Sequence, residues 1–109
     1  DIMIEEFKKR RDYVANFLDE IDEINFIEPK GAFYVFMDVG KLNITGLEFC
    51  KQLLIEKGVA LAPGNAFGSE WKNYVRLAYT CSMEEIIEGM NLIKSFVEEK
   101  ILAVKCSNI

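Results

Sequence analysis

Two helix-start signals constrain the fold of this 109-residue chain more than any other feature. Thr45-x-x-Glu48 and Ser82-x-x-Glu85 are capping boxes, in which a hydroxyl accepts a hydrogen bond from a backbone N–H three residues later. A hydrophobic staple flanks the first box, Leu54 is expected on the apolar face that follows, and Gly58 supplies a C-terminal stop. The sequence therefore predicts one helix that begins near residue 45 and another that begins near residue 82.

Short apolar segments without helical periodicity indicate strands. They cover about residues 25–27, 32–37, 59–62 and 74–79, with turn signals at Pro29-Lys30-Gly31 and Pro63-Gly64. An amphipathic helix is predicted over about residues 2–21, and the last helix has an apolar seam of Ile86, Met90, Ile93, Val97 and Ile101. The order α-β-β-α-β-β-α predicts an α+β fold, a small sheet of about three to four strands with helices packed on one face.

The acidic composition excludes several classes of function for this chain. The 13 Lys+Arg and 18 Asp+Glu residues give a net charge of −5, without the basic cluster that nucleic acid or an anionic membrane requires. No stretch is apolar enough for a membrane span, and the N-terminal segment is too charged for a signal peptide. The absence of histidine removes Ser-His and Cys-His catalysis from these residues. We therefore expect no nucleic-acid partner and no membrane.

The three cysteines, Cys50, Cys81 and Cys106, have no CxxC spacing. Without a CxxC motif, the chain can form neither a zinc ribbon nor a thioredoxin-like redox pair, so no metal site is predicted. Scattered unpaired cysteines suit a reducing compartment, and we expect a cytoplasmic protein. The chain begins at Asp1 without Met, and we expect it to be a fragment of a longer protein.

Arg76 is the first candidate for a binding residue. Period-two alternation in the last strand puts Val75, Leu77 and Tyr79 on one face and Arg76 on the other. A guanidinium fixed on a strand can hold a planar carboxylate by two parallel hydrogen bonds. An exposed strand arginine can equally form a weak surface ion pair. The loop over residues 63–68 contains two glycines, and it can either line a site or form only a turn.

The aromatic residues of the second strand and one serine–lysine motif are interpreted as structural features without a functional role. Phe33, Tyr34 and Phe36 of the second strand are expected in the core by default. Ser69-x-x-Lys72 has the spacing of a cofactor-lysine motif, but it lies in a strand connection and is interpreted as a coincidence.

Six short motifs nevertheless occur in an order typical of one family. The chain resembles the C-terminal small domain of class I/II aminotransferases, the fold-type I pyridoxal-phosphate (PLP) enzymes of the aspartate aminotransferase superfamily. The resemblance runs from about residue 3 to residue 100, and it is carried by Arg10-Arg11-Asp12, Pro29-x-Gly31-Ala32-Phe33-Tyr34, Glu48-Phe49, Gly58-Val59-Ala60, Pro63-Gly64-x-x-Phe67-Gly68 and Tyr74-Val75-Arg76-Leu77.

The resemblance implies that residues 1–109 are one small domain of a longer enzyme. Arg76 falls on the family's arginine that clamps the substrate α-carboxylate, and Phe33 falls on a position that lines the substrate cleft. It implies no catalytic, cofactor-binding or metal-binding residue in this chain, because PLP is held by the large domain. Amino-acid and 2-oxo-acid substrates and a homodimeric full-length enzyme are likewise implied. Trp71 departs from the glycine of many relatives, which puts the path of its loop in doubt.

Other functions remain open at this point. Related PLP-dependent C–S lyases and aminocyclopropane-carboxylate synthases have the same small domain. A non-enzymatic amino-acid-sensing regulatory module has a similar size and layering, and so does a plain interaction domain. The sequence does not identify which amino acid is the substrate.

Overall fold

The computed structural model describes residues 2–29 and 32–107. These residues form three α-helices, α1 (Ile2–Asp19), α2 (Gly46–Lys57) and α3 (Met83–Ser107). The strands are β1 (Asn25–Ile27), β2 (Tyr34–Asp38), β3 (Ala62–Pro63) and β4 (Tyr74–Ala78). Short 3-10 helices occupy Gly40–Leu42, Gly64–Phe67 and Ser69–Trp71. The predicted order of helices and strands is confirmed, and Lys30 and Gly31 of the predicted first turn lie outside the described residues.

The four strands form one antiparallel sheet in the order β1-β2-β4-β3. One face of the two central strands carries Val35, Met37, Val75 and Leu77, which are all buried in the main core. The helices supply the other half of this core through Val14, Leu18, Phe49, Leu53, Met90 and Phe96. The predicted α+β layer, with helices on one face of a small sheet, is therefore confirmed. The opposite face, which we call the outer face, carries Tyr34, Phe36, Tyr74 and Arg76.

Both predicted helix starts are confirmed by their caps. Thr45 Oγ1 accepts from the Glu48 N–H at 3.2 Å, and Ser82 Oγ accepts from the Glu85 N–H at the same distance. Gly58 ends α2 in the left-handed conformation, with φ of 72°, and its N–H donates to the Leu54 carbonyl.

Two details of the sequence prediction are wrong. The third strand covers only Ala62–Pro63 instead of 59–62, because only these two residues pair with β4 in the sheet register. Leu54, expected on the apolar face of α2, is 53% exposed. The predicted seam of α3 is confirmed, and Phe96 adds to it by packing edge-on against Phe49 in the core.

Among residues 2–29 and 32–107, no helix combines the length and the apolar character that crossing a membrane requires.

Candidate functional site

Arg76 lies at the centre of the outer face. Its neighbours Val75 and Leu77 are buried on the helix side, so alternation along β4 directs the arginine to the opposite side. In the sheet register it lies opposite Phe36 of β2 and Ala62 of β3. Strands on both sides therefore hold the backbone of Arg76, which confirms the predicted face and gives the side chain a rigid base.

The guanidinium of Arg76 lies between two aromatic rings. Its Cζ is 5.6 Å from the ring centroid of Tyr34, in β2, and 5.7 Å from that of Phe67, in the second 3-10 helix. Both distances lie within the range in which a cation is attracted to the face of a ring. The rings restrict the orientation of the guanidinium and leave its N–H groups free to donate to an anion.

Behind these rings lies an aromatic cluster centred on Phe36, which is only 7% exposed. Tyr34 and Phe67 meet the Phe36 ring edge-on, with centroids 5.3 and 5.4 Å away. Trp71 stacks on Phe36 at 5.0 Å and 22°, and Tyr74 completes the cluster. Tyr34 and Phe36 are both predicted in the core. Phe36 is buried as predicted, but within this cluster on the outer face, because Val35 and Met37 take the two positions of β2 that face the main core. Tyr34 is only half-buried.

The loop over residues 63–68 brings Phe67 to Arg76. Gly64, the first residue of its 3-10 helix, is buried against the Trp71–Tyr74 segment. A Cβ at Gly64 would lie 2.5 Å from the Trp71 carbonyl oxygen and 2.8 Å from that of Tyr74, distances that real Cβ atoms do not show. Only glycine therefore permits this approach, and the loop lines the surroundings of Arg76 rather than forming only a turn.

Arg76 is in none of the ion pairs that the described part of the chain forms. Those pairs join Lys9 to Glu6, Arg11 to Asp12, Lys57 to Glu99 and Lys100 to Glu56. The surface-ion-pair interpretation of Arg76 thus finds no partner among the described carboxylates.

Phe33, the second predicted site residue, lies apart from the aromatic cluster. Its ring is 47% exposed and stacks on Phe7 of α1, with centroids 4.3 Å apart. The Tyr79 hydroxyl donates to the Ala32 carbonyl at 3.0 Å, and the Tyr79 N–H donates to the Phe33 carbonyl. Burial raises the pKa of Tyr79, so its hydroxyl stays protonated and remains a donor at neutral pH. Phe33 is therefore an exposed ring on an anchored backbone, and its contact with a substrate stays a prediction.

The described lysines do not fit a covalently held PLP. Lys57 and Lys100, the two that are not exposed, are ion-paired with Glu99 and Glu56. Lys72 of the Ser69-x-x-Lys72 segment is exposed. No group of three or more metal-ligating side chains occurs within the residues that the structure describes. We therefore derive no chemical step through a cofactor on these residues.

The comparisons with known proteins decide the family. The family model described as "Aminotransferase class I and II" matches residues 1–93. The chain belongs to this family. A probable N-acetyl-LL-diaminopimelate aminotransferase of Bacillus subtilis is 38% identical over 107 residues, which are 98% of this chain and 27% of that protein. A (5-formylfuran-3-yl)methyl phosphate transaminase of Methanocaldococcus jannaschii is 45% identical over 98 residues, which are 89% of this chain and 25% of that protein.

A solved aminotransferase structure agrees with this assignment. The aromatic aminotransferase from Pyrococcus horikoshii OT3 superposes with a TM-score of 0.83 at 34% identity, over 90% of this chain and 26% of that chain. The chain thus spans about a quarter of the length of the aminotransferases that it matches.

The rings that flank Arg76 were missed at the level of sequence. Tyr34 could have been found, because Val35 and Met37 mark the buried face of β2 and so place Tyr34 with Arg76. No comparable signal exists for Phe67 and Trp71, which reach the outer face from irregular 3-10 segments.

Proposed function

We propose that the chain is the C-terminal small domain of a PLP-dependent aminotransferase, a cytoplasmic homodimer that transfers an amino group between an amino acid and a 2-oxo acid. Arg76 binds the α-carboxylate of the substrate. The observation that supports this function best is the position of Arg76: it projects from a strand that is paired on both sides, lies between two rings, and is in no ion pair of the described residues.

This domain contributes to the reaction by orienting the substrate. A planar guanidinium forms two parallel hydrogen bonds with a carboxylate, and this contact fixes the substrate in both position and rotation. Amino acids and 2-oxo acids both carry the carboxylate next to the reacting carbon, so one clamp serves both halves of a transamination. The rings of Tyr34 and Phe67 limit the other orientations of the guanidinium.

Phe33 is proposed to line the substrate cleft at the boundary with the rest of the enzyme. Its exposed ring is supported by Phe7, and its backbone is held by Tyr79. The PLP would be held by parts of the enzyme outside this chain, where it acts as an electron sink.

The curated relatives are named for different substrates, so the side-chain specificity is not proposed from this domain. A PLP-dependent C–S lyase would use the same carboxylate clamp, and product analysis of the full-length enzyme separates the two reactions. An amino-acid sensor requires a glycine-rich loop at a strand–helix junction. The β4–α3 connection, Tyr79-Thr80-Cys81-Ser82, has no glycine.

The test of this function is kcat/KM of the full-length enzyme for two unrelated amino acids after Arg76→Ala and Arg76→Lys. Removing one partner of a desolvated charge pair costs about 2–5 kcal/mol. We therefore expect Arg76→Ala to lower kcat/KM by roughly 30- to several-thousand-fold. Arg76→Lys should restore only part of this, because an ammonium makes no planar two-point contact. Lys9→Ala, which removes the same charge from an exposed position of α1, is the control and should leave kcat/KM unchanged.

Wild-type activity in Arg76→Ala would refute the carboxylate clamp. A loss confined to dicarboxylic substrates would instead assign Arg76 to the substrate side chain.

A further inference from the structure

We infer that Trp71 is a positioning residue for carboxylate binding: acting through Phe36, it holds the two rings between which the Arg76 guanidinium lies. The inference rests on the proposed role of Arg76 and adds a residue that contributes without touching the substrate.

The contacts form a continuous path from Trp71 to Arg76. The Trp71 ring stacks on Phe36 at 5.0 Å. The Phe36 ring in turn meets Tyr34 and Phe67 edge-on, at interplanar angles of 78° and 81°. Tyr34 and Phe67 are the rings that flank the guanidinium. A single stack therefore supports both sides of the Arg76 site.

Phe67 depends most on this support. It is 46% exposed and comes from a short 3-10 helix rather than from the sheet, so few neighbours restrict its rotamer. Without the stack on Phe36, its ring would sample other positions, and Arg76 would lose one of its two flanking rings. The carboxylate would then have to order the guanidinium on binding, and this ordering reduces affinity.

Trp71 itself is held independently of Arg76. Its backbone N–H donates to the Gly68 carbonyl at 3.1 Å, and its ring packs edge-on against the Tyr74 ring, with centroids 4.9 Å apart. Its placement therefore comes from the loop and from the start of β4, which makes Trp71 a support for the site rather than a part of it.

The experiment measures KM and kcat of the full-length enzyme for an acidic and an apolar amino acid. Trp71→Leu should raise KM for both substrates about 2- to 10-fold, the range expected when ring support of a guanidinium is lost, with a smaller change in kcat. Trp71→Phe keeps a ring on Phe36 and should stay within about twofold of wild type. Phe67→Leu, at a half-exposed position, should raise KM by a similar factor.

A double variant tests the path itself. If Trp71 acts through Phe67, then Trp71→Leu combined with Phe67→Leu should raise KM by clearly less than the product of the single effects. Phe96→Leu, on the helix side of the sheet, is the structural control. It should lower Tm at least as much as Trp71→Leu and leave KM unchanged.

The inference is overturned if Trp71→Leu leaves KM at its wild-type value, if the single effects multiply, or if Phe96→Leu raises KM equally. Arg76→Ala, measured in parallel, distinguishes failure of the Trp71 inference from failure of the proposed function. An unchanged KM in Arg76→Ala contradicts the clamp itself, whereas a raised KM there with no effect of Trp71→Leu contradicts only the role of Trp71.

Discussion

Replacing Gly46 by alanine should destabilise the chain, although alanine is the better helix former. Gly46 is the first residue of α2, and its N–H donates to the Lys72 carbonyl at 2.8 Å. A Cβ at this position would overlap the Tyr74 carbonyl oxygen and lie 3.0 Å from the carbonyl carbon. The obstacle is the backbone of β4, where Tyr74 pairs with Asp38 of β2, so it cannot move away as the end of a flexible side chain can.

Two opposing effects determine how much Gly46→Ala changes the free energy of unfolding. Helix propensity favours alanine by about 0.5–1 kcal/mol, whereas overpacking against fixed atoms costs about 3 kcal/mol. We expect a net loss of about 2 kcal/mol or more, which lowers Tm by roughly 8 °C for a domain of this size. Gly89→Ala is the matched control. Gly89 lies within α3 with nothing within 4 Å of the added Cβ, so the same substitution should raise Tm by about 2–4 °C.

Urea unfolding of both variants, with midpoint and slope compared, measures the two effects. Equal stabilisation by both substitutions would show that α2 does not approach β4 as closely as described. Unequal slopes would instead point to a change in the unfolded chain.

Two further predictions concern the helices. Ser82→Ala removes the hydroxyl that caps α3 and should cost about 1 kcal/mol, which thermal melting detects as a Tm lower by about 4 °C; an unchanged Tm would mean that Ser82 does not cap the helix. Burial raises the pKa of the Cys50 thiol from 9.0 to about 11, so above pH 9 the unfolded chain loses a proton that the folded chain keeps. The Cys50 contribution to stability should therefore fall as pH rises from 9 to 11, by about 2 kcal/mol in total. Urea unfolding of wild type and Cys50→Ala measures this contribution as the difference between their pH slopes, and parallel slopes would contradict it.

The fold was predictable because its signals are local. Each capping box identifies a helix start from four consecutive residues, and period-two alternation identifies the buried face of a strand. Arg76 was placed on the correct face by the same alternation, since Val75 and Leu77 leave it no position in the core. The prediction was weakest for 59–62, where an apolar segment has strand composition but only Ala62 and Pro63 pair with β4.

The surroundings of Arg76 were not predictable for a physical reason. Phe67 and Trp71 come from 3-10 segments, which have no periodicity that would assign a side chain to a face. Their positions depend on Gly64, whose close approach to the Trp71 and Tyr74 carbonyls is a tertiary contact. Phe33 shows the same limit, because its support by Phe7 joins residues that are distant in the sequence.

The backbone around Trp71 is held by hydrogen bonds that do not involve its ring. The Lys72 carbonyl accepts from the Gly46 N–H, and the Asn73 carbonyl accepts from the Val39 N–H at 2.9 Å. These bonds fix the segment between Trp71 and β4 to α2 on one side and to the end of β2 on the other. A substitution at Trp71 therefore changes what packs on Phe36 while the strand that carries Arg76 stays in register. Gly46→Ala does the opposite, because its added Cβ presses on the Tyr74 carbonyl at the start of β4 and removes no aromatic ring. Comparing the two variants in one enzyme separates the contribution of the aromatic support from that of the strand.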